Sequence, residues 1–228
     1  MKKKKGVKIE KEEKNYIKKP FLLGFVASLV ILALFLFYLI FSLFKTMPKV
    51  LSSLIILFYL CYLVTLASFF YLGKKHNSKL IKNTSIILAV FSILFLFLFF
   101  LISLTTVQKL SQNKVALGVI ERISSGIHSD LTEEEAIVII SYFVPIFLYL
   151  VFSYLVFAIL STILSVKIFQ LEEVKYCKFF SITNIIYVWL PITIIGFLFI
   201  IPVYMAVLII QSLMFYELAK QNKEIKNG

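Results

Sequence analysis

Arginine is almost missing from this chain of 228 residues: Arg122 stands alone against twenty-three lysines. The formal net charge is +12, but nucleic-acid recognition relies on arginine and on aromatics interleaved with basic residues. Here the aromatics lie in apolar stretches, so no nucleic-acid partner is expected, and the lysines fit a skewed genomic composition plus topology-setting charges. Cysteine is scarce as well. Cys61 lies within an apolar stretch and Cys177 in a polar linker, depths too different for a disulfide, so both are read as free thiols. The two histidines, His76 and His128, fall in linkers on opposite sides of the apolar stretches and cannot share a metal.

Charge of either sign is missing from five long stretches: Phe21–Phe44, Val50–Gly73, Thr84–Gln108, Ala136–Val166 and Phe179–Tyr216. The composition is 61% hydrophobic with a mean hydropathy of +0.96, against roughly 45 to 50% apolar for a soluble domain. Only helices or closed barrels satisfy their own backbone in lipid. Barrel strands would alternate with period two, and Phe21–Phe44 does not. The expected fold class is therefore all-α, a polytopic helical membrane protein.

Threading follows from length and charge. The stretch before Phe21 is basic and the first apolar run is too long for a signal peptide, so it is read as a retained span, with Pro20 suited to the first helical position. Phe179–Tyr216 spans 38 residues, about 57 Å as one helix against about 30 Å of hydrocarbon. Gly196 near its middle suits a helix end and Pro202 the first turn of a following helix. This divides the run into Phe179 to about Ile195 and about Ile200 to Tyr216, leaving a re-entrant hairpin and one long tilted helix as alternatives.

The positive-inside rule supports six spans with both termini inside. Nine lysines before Phe21, four in "GKKHNSKLIKNT", three in Lys167–Lys178 and three after Glu217 then share one side. The other side holds Lys45, Lys49, Lys109, Lys114 and Arg122. The expected organisation is a basic cytoplasmic tail (1–20), a six-span domain (21–217) with an outer loop at 109–135, and a second cytoplasmic tail (218–228). The last two spans form a tight hairpin.

Within the outer loop, Val115, Val119, Ile120, Ile123 and Ile127 recur at near-helical spacing, which suggests a surface amphipathic segment, read as a connector before a lid. Thr132 and Glu135 match a capping box, with the run of glutamates opposing the helix dipole. The "NTS" at Asn83 would not be glycosylated on the cytoplasmic side.

Inside the spans there is no Asp, Glu, Lys, Arg or His, the residues that mark proton relays, ion sites and voltage sensors. H-E-x-x-H, P-loop and glycine-rich phosphate cradles are also missing, so no catalysis, cofactor or metal is expected. Neutral polar residues remain. Asn184 and Gln211 fall at similar depth in an antiparallel hairpin, either as a hydrogen-bonded staple between the last two spans or as contacts for a solute or lipid headgroup. Ala158, Ser161, Thr162 and Ser165, with Gly24 and Ser28, let helices approach closely, as internal contacts before a dimer face. Pro145 and Pro191 can kink their helices.

The segment "FFYLGKKHNSKLIKNTSIIL" (Phe69–Leu88) and the sequence from "VKIF" (Val166–Phe169) through "IIGFLFIIPVYMAVLIIQSLMFYEL" (ending at Leu218) resemble a family of small, mostly archaeal multi-pass membrane proteins classed as a domain of unknown function. The likeness covers roughly Leu51–Leu218. It implies a membrane location and a similar span layout, and no activity.

The expected role is a non-catalytic, multi-pass component of the cell (plasma) membrane. Its expected partners are membrane lipids and another membrane protein, with homo-oligomers allowed. The alternative is a facilitative carrier for a neutral or lipid-like solute, using Asn184 and Gln211.

Overall fold

Runs of leucine, isoleucine and phenylalanine without charge close their backbone hydrogen bonds locally, and here they do so as helices. The computed structural model describes residues 2–43, 51–124, 132–171, 174–193 and 196–224. Among these, the elements are α1 (Lys2–Leu43), α2 (Leu51–Lys75), α3 (Lys79–Gln112), α4 (Lys114–Ser124), α5 (Glu133–Phe169), α6 (Cys177–Trp189), a 3₁₀ turn (Leu190–Ile192) and α7 (Gly196–Glu224). Five contain stretches long and apolar enough to cross a membrane: Lys19–Leu39, Leu54–Lys75, Lys79–Gln112, Glu133–Phe169 and Phe199–Gln221. Their outward faces expose Phe97, Phe100, Phe147 and Phe152 at 59, 61, 64 and 68%. Surfaces like these fit hydrocarbon rather than water.

The chain divides into two compact units, one formed by residues up to Ala89 and from Ala158 onward, the other by Val90–Phe157. In the first, α7 packs against α1 and α6, and α1 also packs against α2. Ring pairs set the register. Phe25 meets Tyr216 at 5.6 Å and Phe35 meets Tyr204 at 5.0 Å, so α1 and α7 run antiparallel. At one end Phe69 of α2 touches Phe180 of α6 and Phe215 of α7, at 5.4 and 5.0 Å. Lys75 holds its ammonium 5.7 Å from the Phe21 ring centroid at that end, a cation–π contact.

Two glycines are dictated by close approach. A Cβ on Gly24 would lie 2.4 Å from Ser68 Oγ, and one on Gly73 would lie 2.6 Å from the backbone nitrogen of Lys82. The Gly73 contact belongs to the tight turn between α2 and α3. There Ser78 N–H donates to Gly73 O at 2.9 Å, and Asn77 takes a left-handed φ of 52°, a conformation asparagine tolerates. Gly24 and Ser28 thus mark an internal helix contact, as their spacing predicts.

In the second unit Phe95 and Tyr149 stack at 5.5 Å and 4°, and the Tyr149 hydroxyl donates to Phe95 O at 2.8 Å. The predicted outer loop is mostly helix: α3 continues to Gln112, and Asn113 caps α4 by accepting from Val115 N–H and Ala116 N–H at 3.0 and 3.1 Å. Ala116 and Val119 form the buried side of α4, whereas Val115 and Ile120 are exposed. Ile127 lies outside the described residues. At the start of α5 the capping box forms as predicted: Thr132 N–H donates to Glu135 Oε2 at 3.0 Å, and Glu135 N–H to Thr132 Oγ1 at 3.3 Å. Arg122 pairs with Glu135, tying α4 to α5.

Three local expectations are corrected. Pro20 lies inside α1 rather than at its start, because the preceding lysine- and glutamate-rich segment is itself made of good helix formers. Phe179–Tyr216 is not one long helix. The break falls earlier than Gly196: α6 ends at Trp189, Pro191 sits in the 3₁₀ turn, and Thr193 is extended at φ −100° and ψ 139°. Gly196 therefore opens α7 and Pro202 lies in its interior.

Gly73→Ala is expected to lower stability by about 1–3 kcal/mol, since the added methyl meets backbone that cannot rotate away. Gly118→Ala, with nothing within 4 Å of the added carbon, is expected to raise it by about 0.5–1 kcal/mol through helix propensity. Thermal unfolding in detergent checks both signs.

Candidate functional site

Asparagine and glutamine each bring two donors and an acceptor into the apolar interior, and lipid satisfies none of them. Asn184 sits on α6 and Gln211 on α7, 9 and 6% exposed. Asn184 Nδ2 donates to Ser161 Oγ at 2.9 Å and to Ser165 Oγ at 2.8 Å, both on α5. Gln211 Nε2 donates to Ser28 Oγ on α1 at 3.1 Å, and the Ser28 hydroxyl itself donates to Gly24 O at 2.8 Å. The two amides thus bind different neighbours rather than forming the staple of α6 to α7 that their matching depth suggested.

The small face of α5 accounts for the pairing. Ala158, Ser161 and Ser165 are buried, and Thr162 accepts from Trp189 Nε1 at 2.9 Å while donating to Ala158 O at 2.7 Å. Trp189 therefore has a specific partner on α5, in addition to its place among the aromatics of the span. Across the α1–α2 seam, Ser68 Oγ donates to Pro20 O at 2.8 Å. An interior proline leaves the carbonyl four residues back without its usual amide, but here it is the carbonyl of the proline itself that gains a second donor.

Among the described residues the buried polar side chains are serines, threonines, Asn184 and Gln211, with no charged group. No group of three His, Cys, Asp or Glu side chains converges there. Cys61 is half-buried and Cys177 fully buried, both as thiols. His128 lies outside the described residues. The arrangement can hold helices in register and can offer hydroxyls and amides to a guest.

Sequence reasoning missed the tyrosines at the break in α6. Tyr187 and Tyr204 stack at 4.9 Å, and Tyr204 also receives the edge of Phe35. Their positions carry no spacing signal, because the contact depends on where α6 stops. Ser28 as the partner of Gln211 was half-visible: its spacing from Gly24 marks a close helix contact without naming the donor that reaches it.

Asn184→Ala and Gln211→Ala are each expected to lower stability by about 0.6 kcal/mol, up to about 1.7. Because their partners differ, the double variant should be additive to within about 0.5 kcal/mol; strong coupling in the measured unfolding energies would mean that the two amides share one network. At the start of α5 the hydrogen bond from Thr132 N–H, reinforced by Arg122, holds the Glu135 carboxyl below the ordinary carboxylate range. A lowered folded pKa contributes stability above the unfolded value, lost as pH falls through the folded one. Amide protection at Glu135 and Ala136 should be constant near neutrality, fall only in acid, and drop at all pH values in Thr132→Ala.

No family model, curated protein or solved structure matches this chain.

Proposed function

We propose that this chain is a six-span component of the cell membrane, with both termini in the cytoplasm, that acts without catalysis by associating with another membrane protein or with lipids. The observation that carries this reading is the use of the buried polar groups. Among the described residues all are neutral, and the two amides spend their donors on serines of neighbouring helices.

The register of α1 on α7 supports the sixth crossing. The pairs Phe25–Tyr216, Ser28–Gln211 and Phe35–Tyr204, continued along both helices, bring the end of α1 level with the start of α7. So α7 covers the same thickness as the apolar stretch Lys19–Leu39 of α1. Phe180 lies level with Phe215 through Phe69, so the chain must regain that thickness between α6 and Gly196. From Phe180 to Trp189 α6 rises about 14 Å, the 3₁₀ turn adds about 6 Å, and Thr193 to Gly196 reaches up to about 10 Å. That reach matches the hydrocarbon thickness of about 30 Å.

The break in α6 favours a second reading, a facilitative carrier for a neutral or lipid-like solute. Interrupted helices line substrate sites in transporters because freed backbone groups need partners there, and Tyr187, two residues before α6 ends, stacks on Tyr204 of α7.

Mild-detergent purification from native membranes should yield a protein in fixed ratio with this chain or a retained lipid. Solute movement by the chain reconstituted alone, lost in Asn184→Ala with Gln211→Ala, would instead establish the carrier. With Cys61 and Cys177 replaced by alanine, a cysteine appended after Gly228 should react with an impermeant reagent only in inverted membranes. Labelling in intact cells would contradict six spans.

A further inference from the structure

Beside the Gly24–Ser68 crossing lies an open groove of about 350 Å³ between α1 and α2, at the low end of ligand-site volumes. Leu23, Val64 and Ala67 supply apolar lining, and Lys19 and Tyr71 lie one helical turn further toward the basic end. Leu23 is 58% exposed, so the groove opens on the apolar face, where a bilayer would place lipid. At the same end Lys75 lies over Phe21 of α1, and Lys74, Lys79, Lys175 and Lys178 follow in the adjoining segments.

We propose that this groove binds one anionic glycerophospholipid, an acyl chain along Leu23, Val64 and Ala67 and the phosphate at the Lys19 ammonium. The site rests on the membrane-component reading above and names its lipid class. Charge complementarity selects this occupant: the apolar lining suits a chain, the basic end suits an anion, and only an amphiphile of that sign uses both. The groove is too small for a transmembrane helix, and its base is closed by the approach of Gly24 to Ser68. Lysines at the membrane boundary bind anionic headgroups on this pattern.

The full-length protein, offered equimolar phosphatidylglycerol and phosphatidylcholine, should retain one phosphatidylglycerol per chain in native mass spectrometry. Lys19→Gln should cut that occupancy about fivefold, the worth of one well-placed lysine. Ala67→Phe, at an exposed position, should abolish it by filling the groove, with Ala67→Leu as the milder version if the larger residue unfolds the protein. Lys74→Gln, at the same end but outside the lining, should change nothing. Retention by both Ala67 variants, equal retention of the two lipids, or equal loss in Lys74→Gln would overturn the site. That failure, with a copurifying partner still bound, would leave the membrane-component reading intact; solute transport by the chain alone would remove that reading instead.

Discussion

A hydrogen-bonding group placed in hydrocarbon must find its partner within the protein, and that constraint organises this molecule. It makes the apolar stretches helical, since a helix satisfies its own backbone. It also decides how the helices meet. With lipid as apolar as leucine, burial of aliphatic side chains gives little drive for one helix to leave lipid for another, so close packing and interhelical hydrogen bonds carry association. Gly24 lets α1 approach Ser68, Ser28 receives Gln211, and the serines of α5 receive Asn184. Each bond links two helices that the loops alone would leave free to rotate.

The same constraint shapes what the interior can do. A buried charge in such a medium is too costly to keep without a use, and the buried polar set is neutral throughout the described residues. Neutral amides and hydroxyls hold helices or greet a neutral guest. The bonds made by Asn184 and Gln211 assign them to holding, whereas the chain leaves regular helix after Trp189, close to where Tyr187 stacks on Tyr204.

Much of the fold was legible in the sequence because its causes are local. Charge-free length marks the long helices, and Thr132 with Glu135 form their capping box three residues apart. Partners set by rotation about helix axes were not legible. Asn184 and Gln211 share a depth, yet depth does not say which way each side chain points, and they point to α5 and α1. Proline was misread for a related reason. Pro20 and Pro202 look like helix starts by propensity, but both lie within continuous helices, whereas Pro191 does end one. The turn residue expected at Gly196 instead begins α7, since the break set by Pro191 comes first.

The intramembrane amides work as helix ties. A double-mutant cycle between Asn184→Ala and the paired Ser161→Ala, Ser165→Ala change, measured as unfolding free energy in bilayers, tests it most directly. A tie between α6 and α5 gives a favourable coupling of about 0.6 kcal/mol, and no more than about 2. Zero coupling, with Asn184→Ala neutral for stability, would contradict it and return Asn184 to the role of a solute contact.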